Sequence, residues 1–356
     1  MLAARERRGW TQTEAAEAAG VTRQSYAAIE SGASVPSTEV ALRLARAFSR
    51  AVEELFRLPE PPVEEVRARW AGEDAGLGRR VRLVDVAGQW IAYPTGGAER
   101  PSRLADGVVT GVEGSEVRVM LLPERPPAPS LAVVGCDPAF GIVAEALGRE
   151  RGIEIVWAQR GSRAALDALA RGEAHVGGTH LQDRRTGEAN ARWVRERVPF
   201  GCTRFRFADW EQGLIVPAGN PAGVSSIADL ARPGVRLLNR EDGSGSRMLL
   251  DEELEAAGVS ASGISGYATA ARSHLAVGEA IAAGVANVGI GIRAAGAAFG
   301  LGVVPLRTER YEMVIPDHFL DLPAVGALLD VLRQPGIRTQ IEALQGYDAA
   351  AMGKAV

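Results

Sequence analysis

Residues 9–32 read GWTQTEAAEAAGVTRQSYAAIESG, and this stretch decides the architecture of the N-terminal part of the chain. Thr11 is placed to cap one helix, because a threonine hydroxyl can accept from the free amides of a first helical turn. Gly20 then permits a tight turn, since a residue without a Cβ tolerates positive φ. Thr22 is placed to cap a second helix, 23–30. Two short helices joined at a glycine predict a helix-turn-helix, whose second helix can enter the DNA major groove.

The same stretch resembles the Xre/phage-repressor family of DNA-binding domains. The resemblance rests on Thr-Gln, Ala-Gly-Val-Thr and Glu-x-Gly in order, followed by a fourth helix at 41–45 and a Glu-Leu-Phe close at 54–56. Ala15 replaces a usual Leu, and Tyr26 replaces a usual Ile or Val. The side-chain chemistry agrees with DNA binding. An Arg can form two hydrogen bonds to guanine, a Gln can do the same with adenine, and a Thr or Ser hydroxyl can donate to a phosphate oxygen. The alternative is a helical hairpin that binds protein. The resemblance implies DNA contacts at Gln12, Arg23, Gln24, Ser25 and Ala28, and the hydroxyls of Thr11 and Thr22 are added as possible phosphate contacts.

The charge of this module is balanced, because residues 1–56 hold seven Arg and seven Asp or Glu. DNA binding must therefore depend on where the arginines lie, and its affinity should fall with salt. The candidate phosphate contacts are Arg5, Arg7, Arg8, Arg23, Arg43 and Arg46.

Length and composition bound the rest of the chain. A chain of 356 residues suggests two or three domains. Cys136 and Cys202 form neither a disulfide framework nor a zinc-ligand spacing. The N-terminus lacks an apolar signal region, and no stretch reaches the length of a membrane span. We therefore expect a cytoplasmic protein with no membrane partner.

Proline-rich segments divide the chain further. Linkers at 58–62 and 123–129 bracket a segment with short apolar strands at 81–86 and 117–121. This segment is interpreted as a spacer or a dimerising subdomain. The expected organisation is a helix-turn-helix domain at 1–57, a linker with a β-rich connecting subdomain at 58–129, and a ligand-sensing domain at 130–352.

Beyond residue 130 the pattern alternates between strands and helices. Strands are predicted at 131–134 and 153–158, and helices at 139–151 and 164–171. Such alternation predicts a parallel sheet covered by helices, so the chain is a multidomain protein with an all-α N-terminal domain and an α/β C-terminal domain.

This region resembles the periplasmic-binding-protein-like (type II) family, in the branch related to molybdate- and tungstate-binding proteins. The resemblance rests on motifs such as Gly135-Cys136-Asp137-Pro138-Ala139, Gly178-Thr179-His180-Leu181 and Val288-Gly289-Ile290-Gly291-Ile292. It implies two α/β lobes with a ligand cleft between them. Residues 217–221 are interpreted as the first crossover between the lobes, and a strand at 311–315 as the return.

The strongest predicted ligand-binding loop is 239–247, which joins a strand to a helix start. Backbone amides and partial positive charge at a helix start suit an anion, and Arg and Ser side chains add donors. The alternative is a capped helix with a flexible turn. The ligand contacts predicted here are Arg240, Ser244, Gly245, Ser246 and Arg247.

Four other positions join the predicted site. Cys136-Asp137 follows the first strand, and Asp137 is equally placed to cap a helix, whereas Cys136 could simply be small and partly buried. Gly161-Ser162 lies at another helix start. Thr179-His180 follows a strand, and His274 precedes a helix. The two histidines lack a third identifiable partner, so no metal site is predicted.

These features predict a one-component transcription regulator that binds operator DNA as a homodimer and senses a small anion. A molybdate- or tungstate-type oxyanion is the leading candidate effector, and no cofactor or catalytic residue is predicted. The sequence leaves alternatives open: an enzyme or binding protein of molybdenum-cofactor metabolism that uses the same clamshell for an organic anion, a transport binding protein, or a DNA binder whose clamshell holds a protein.

Overall fold

The computed structural model describes residues 1–56, 64–95, 104–123, 129–183 and 186–356. The chain forms two compact units, 1–63 and 64–356, and each is considered by itself. The proline-rich segment 58–62 and most of 123–129 lie outside the described residues.

The N-terminal unit is all-helical, as predicted. Thr11 caps the second helix through two reciprocal hydrogen bonds. The Thr11 hydroxyl accepts from the Glu14 backbone amide, and the Glu14 carboxylate accepts from the Thr11 backbone amide. Gly20 has φ 65°, which confirms the left-handed turn. Thr22 caps the next helix by accepting from the Ser25 amide at 3.1 Å. The helices are α1 (Leu2–Arg7), α2 (Gln12–Ala19), α3 (Arg23–Glu30), α4 (Thr38–Phe48) and α5 (Val52–Leu55).

The core of this unit accounts for the two departures from the Xre pattern. Ala15 and Tyr26 are fully buried members of the same apolar cluster. The smaller side chain at 15 and the larger one at 26 therefore offset each other in volume, which packed cores tolerate. The Tyr26 hydroxyl donates to Glu30 at 3.1 Å, so its polar atom is satisfied.

The middle segment folds into a closed five-stranded barrel in the order β1-β3-β2-β4-β5. Valines from several strands fill its interior, including Val81, Val109 and Val119. The predicted strands at 81–86 and 117–121 are confirmed as β2 and β5. The strands are β1 (Glu65–Trp70), β2 (Arg80–Val86), β3 (Gln89–Pro94), β4 (Gly107–Glu113) and β5 (Glu116–Leu121).

The rest of the chain forms one mixed sheet of nine strands with helices packed against it. The main strand order is β11-β10-β12-β9-β13-β8-β6-β7, and β14 pairs with β9. The strands are β6 (Ser130–Val134), β7 (Glu154–Ala158), β8 (Val176–Thr179), β9 (Cys202–Val216), β10 (Leu237–Arg240), β11 (Ala270–Ala271), β12 (Val288–Ile292), β13 (Gly302–Pro316) and β14 (Tyr347–Asp348). The helices are α6 (Phe140–Arg151), α7 (Ser162–Ala170), α8 (Ala191–Arg197), α9 (Gly245–Ala256), α10 (His274–Ala282), α11 (Arg293–Ala297), α12 (Pro323–Arg333) and α13 (Pro335–Glu342).

The nine-stranded sheet spans two lobes: lobe one contains β6, β7, β8 and β14 with helices α6 to α8, and lobe two contains β10, β11 and β12 with helices α9 and α10. The long antiparallel strands β9 and β13 join the two lobes. Residues 209–210 of β9 pair with β14 in lobe one, whereas 212–215 pair with β12 in lobe two. The chain therefore crosses inside β9. The interpretation of 217–221 as the crossover is wrong, because that turn follows the strand after it has entered lobe two.

The barrel shares a core with lobe one. Val84, Ile91 and Tyr93 belong to the same buried cluster as Leu131 of β6. The Tyr93 hydroxyl also donates to the backbone carbonyl of Glu173. The barrel is therefore part of the C-terminal unit.

Among the helices that the structure describes, none is long and apolar enough to cross a membrane.

Candidate functional site

Three side chains from distant parts of the sequence meet between the lobes. Cys136 follows β6, His180 follows β8, and His274 begins α10. One potential ligand atom from each lies within 4.8 Å of the others, and all three residues are buried. The sequence pattern offered no third partner for the two histidines, and the structure supplies it in Cys136.

His180 is held in place by residues of the two long strands. Its Nδ1 lies 2.8 Å from Glu309 Oε2, and Gln212 Nε2 donates to the same carboxylate oxygen. The Gln212 amide oxygen accepts from the Ser246 hydroxyl at 2.5 Å, which links His180 to the start of α9. Burial alone would lower the pKa of His180, but the adjacent Cys136 sulfur and the Glu309 carboxylate raise it to about 10.

Sequence reasoning did not select Gln212 and Glu309. Gln212 follows Glu211 in β9, and Glu309 stands between Thr308 and Arg310 in β13, so both have polar sequence neighbours. The sequence pattern therefore does not single them out, and only the structure shows that both are buried and hydrogen-bonded.

His274 differs from His180 because neither of its ring nitrogens has a hydrogen-bond partner. Its burial, together with the nearby Arg240 and His180 charges, lowers the pKa, so the ring is neutral near pH 7. The indole of Trp210 packs edge-on against both imidazoles, with ring centroids 4.9 Å from His180 and 5.2 Å from His274. The ring therefore offers an unshared electron pair in an apolar setting.

Arg240 is fully buried, with one nitrogen left unsatisfied. Its Nε donates to Glu241 at 3.0 Å and to the Ala271 carbonyl at 3.1 Å, and Nη2 donates to the Arg272 carbonyl at 3.1 Å. Nη1 is buried without a partner. A buried donor without a partner is costly, so this nitrogen is suited to receive an anionic ligand.

The remaining residues of the 239–247 loop divide into two groups. Ser244 caps α9 by accepting from the Arg247 amide at 3.2 Å, and Gly245 packs against the His180 ring. The Arg247 side chain instead pairs with Asp251 at 3.1 Å and lies over the Tyr267 ring at 4.1 Å. The prediction that Arg247 contacts the ligand thus gains no support, because its guanidinium already has these partners.

Asp137 does not cap α6, which begins at Phe140 with Ala139 as its N-cap. Instead, one carboxylate oxygen accepts from the Ala139 amide at 2.9 Å and from the Tyr347 hydroxyl at 2.6 Å, and the other oxygen has no partner. Burial raises the pKa of Asp137 to about 7, against the lowering effect of these hydrogen bonds.

The other predicted ligand residues lie at the contact between the lobes. Ser162 accepts from the His180 amide at 3.1 Å, and the hydroxyl of buried Thr179 has no partner. At Gly161, a Cβ would lie 3.1 Å from the Ser244 Cα. Because Gly161 belongs to lobe one and Ser244 to lobe two, the lobes are in contact around the cluster.

The predicted DNA-binding residues divide similarly. Arg23, Gln24 and Ser25 are exposed on α3, while Thr22 caps that helix and Thr11 caps α2. The other two predicted contacts, Gln12 and Ala28, are half-buried.

The carboxylate of Glu30, at the end of α3, binds two side chains that were predicted to contact DNA, Gln12 and Arg5. Gln12 donates to Glu30 at 2.9 Å, and the Arg5 guanidinium pairs with the same carboxylate at 2.7 Å. The exposed face of α3 therefore supplies the side chains that are free to reach DNA bases.

Comparison with known proteins agrees with both halves of this architecture. The family described as the PBP superfamily domain matches residues 144–333, and a helix-turn-helix family matches residues 1–55. The chain belongs to the PBP superfamily and carries an Xre-type helix-turn-helix at its N-terminus. The chain therefore joins a helix-turn-helix module to a PBP superfamily domain.

Individual proteins are similar to parts of this chain. The uncharacterized protein YvgK of Bacillus subtilis (strain 168) is 29% identical over 231 residues, which are 64% of this chain and 74% of that protein. The uncharacterized HTH-type transcriptional regulator YgzD of the same organism is 48% identical over 56 residues, 16% of this chain and 85% of that protein. A putative phosphate ABC transporter substrate-binding protein from Clostridium perfringens, solved with bound phosphate, is 14% identical with a TM-score of 0.47, covering 61% of this chain and 98% of its own.

Proposed function

We propose that this protein is a one-component transcription regulator that binds operator DNA through its helix-turn-helix and senses a small anion in the cleft between its lobes. The observation that carries the proposal is the free Nη1 of buried Arg240, in a chain that begins with a DNA-binding module. A guanidinium held by Glu241 and two backbone carbonyls, with one donor left over, is preorganised for a ligand.

Three helix starts add to the positive character of the cleft. Helices α7, α9 and α10 begin at Ser162, Gly245 and His274, and all three residues are buried. The N-terminus of a helix has a partial positive charge and free amides, so it favours an anion. A molybdate- or tungstate-type oxyanion is the first candidate, because it is small enough for donors from both lobes to surround it.

The DNA-binding half of the proposal rests on the exposed face of α3. Arg23 and Gln24 can read guanine and adenine edges in the major groove. Regulators of this kind read two half-sites about 34 Å apart as dimers, so we propose a homodimer working in the cytoplasm, where its operator lies. A molar mass from light scattering twice that of the chain would agree with this, and a monomeric mass at operator-binding concentrations would contradict it.

Thermal unfolding against a panel of anions tests the sensing half. Molybdate, tungstate, sulfate, phosphate and small carboxylates are added in turn, and a ligand at about 100 times its Kd should add ~2.7 kcal/mol to the unfolding free energy. Arg240→Met should abolish the selective shift, whereas Arg247→Ala serves as the matched arginine control and should retain it. If no anion shifts the unfolding temperature, the proposal that the cleft binds a small anion is contradicted. If both variants lose the shift equally, Arg240 has no special role in anion binding.

The regulatory half is tested separately by operator binding with and without the selected anion. Coupling between two sites is typically ~1–3 kcal/mol, a 5- to 150-fold change in DNA affinity. An operator affinity that is identical with and without saturating anion would refute sensing and leave a DNA-binding protein with an anion-binding domain.

A further inference from the structure

The cluster between the lobes gathers a large share of the metal-binding side chains of this chain. The sequence contains two cysteines and four histidines, and one cysteine and two histidines meet here. Zinc binds sulfur at about 2.3 Å and imidazole nitrogen at about 2.0–2.1 Å, so two ligand atoms on one tetrahedral ion lie about 3.3–3.6 Å apart. The ligand atoms of the cluster all lie within 4.8 Å of one another, so a shared ion requires side-chain shifts of at most about 1.5 Å.

The imidazole nitrogens that would bind an ion are buried without a conventional hydrogen-bond partner. His180 uses Nδ1 toward Glu309, which leaves its buried Nε2 without a partner. A carboxylate on the far nitrogen of an imidazole is the usual support of a metal-binding histidine, because it fixes the ring and makes the other nitrogen more basic. Both nitrogens of fully buried His274 are also unpartnered. These unsatisfied atoms are a second observation, independent of residue type, that something binds here.

We propose that Cys136, His180 and His274 bind a thiophilic transition-metal ion, with Zn²⁺ as its representative. A thiolate and two imidazoles suit zinc or copper, whereas magnesium and calcium prefer oxygen ligands. Three protein ligands leave a fourth position on a tetrahedral ion for water or for an anion. Trp210 packs against both imidazoles and keeps bulk water from them.

The three ligands come from both lobes, since Cys136 and His180 belong to lobe one and His274 begins a helix of lobe two. An ion held by all three would therefore favour the closed cleft and place positive charge beside the anion site. This regulatory consequence rests on the proposed function, whereas binding of the ion does not.

Metal binding is measured directly on the full-length protein. Zn²⁺ is titrated in competition with a chromophoric chelator, and Co²⁺ is used as a spectroscopic substitute, since a thiolate ligand gives it a near-ultraviolet charge-transfer band. We expect a single Zn²⁺ per chain and the Co²⁺–thiolate band. Changes to residues behind the ligands already cost ~10–100-fold in metal affinity. Cys136→Ser and His274→Gln should therefore each weaken Zn²⁺ binding by more than about 100-fold.

The chain offers a matched control for each variant. Cys202 is half-buried at the start of β9, and His318 is exposed beside Phe200 and Phe319. Cys202→Ser and His318→Gln should leave both the Zn²⁺ affinity and the Co²⁺ spectrum unchanged. If Cys136→Ser fails to fold by circular dichroism, His274→Gln decides the question.

The proposal is overturned if wild-type protein does not compete with the chelator, if both site variants bind Zn²⁺ as wild type does, or if the control variants lose binding equally. The anion panel and the operator titration are repeated on the same samples without metal. If operator binding depends on the anion but the protein does not bind Zn²⁺, the metal site is rejected and the proposed regulator stands. If the protein binds Zn²⁺ but operator binding does not depend on any anion, anion sensing is rejected and the metal site stands.

Discussion

Gly245→Ala should hold the cleft open while leaving the protein at least as stable as before. A Cβ at 245 would lie 2.4 Å from His180 Cε1 and 2.5 Å from its Nδ1. Gly245 is at the first position of α9 in lobe two, whereas His180 follows β8 in lobe one. The added methyl therefore acts as a wedge between the lobes, and His180 cannot move away freely because Glu309 and Trp210 hold its ring.

The expected magnitude follows from the cost of overpacking. Inserting a methyl into a filled interior typically costs ~1–3 kcal/mol. If that cost is borne only by the closed state, the affinity for the anion selected in the thermal-unfolding panel should fall roughly 5- to 150-fold. Gly245 is not in the left-handed region, so alanine is compatible with its backbone and should stabilise the folded chain by ~0.4–1 kcal/mol through the unfolded state.

The assay combines isothermal titration with the anion selected in the thermal-unfolding panel and urea unfolding without ligand. Gly326→Ala is the control, because position 326 lies within α12 and an added Cβ there meets no atom within 4 Å. It should show the same gain in stability and no loss of affinity. If Gly245→Ala binds the selected anion as tightly as wild type does, the idea that this closed packing of α9 on His180 is the ligand-bound arrangement is refuted.

Three further predictions concern other parts of the chain. Gln24→Ala should relax operator preference by ~1–3 kcal/mol at one base pair, measured by competition between operator variants, and an unchanged preference would mean that another residue reads that base. Thr22→Ala should remove the cap of α3 and lower the unfolding free energy of the N-terminal unit by ~1 kcal/mol in urea denaturation. An unchanged unfolding free energy would mean that water satisfies the helix start equally well. Burial lowers the pKa of His175 to about 4, against the raising effect of Asp85, so the unfolded chain binds more protons between pH 6.5 and 4 and stability falls as the pH falls through that window. Between pH 6.5 and 4, the unfolding free energy of His175→Gln should fall by up to about 3 kcal/mol less than that of wild type, as measured by urea denaturation at each pH. Parallel profiles of unfolding free energy against pH would contradict this.

The helical N-terminal unit was predictable because its signals are local. The caps at Thr11 and Thr22 and the turn at Gly20 each act within a few residues, and each is found where the sequence places it. The strands of the barrel were partly predictable from short apolar runs, but its closure was not. Closure depends on pairing between distant strands, such as β1 with both β3 and β5, which no local pattern encodes.

The cleft shows the same limit more sharply. Arg240 and Arg247 stand in one loop with equal claims, yet the guanidinium of Arg240 is fully buried and that of Arg247 lies over Tyr267. Arg240 ends strand β10 and Arg247 lies in the first turn of α9, so the packing of both elements decides which guanidinium is buried. The meeting of Cys136 with His274 likewise needs both lobes to be folded and closed, so nothing in the spacing of these residues indicates it.

The core shared by the barrel and lobe one has a consequence for building hybrid regulators. Val84 and Tyr93 of the barrel are packed among residues of lobe one, so a clamshell excised at residue 130 would lose part of its own interior and expose an apolar surface. A chimera that transfers this sensor to another DNA-binding module should therefore be joined before residue 64, so that the transferred fragment includes the barrel.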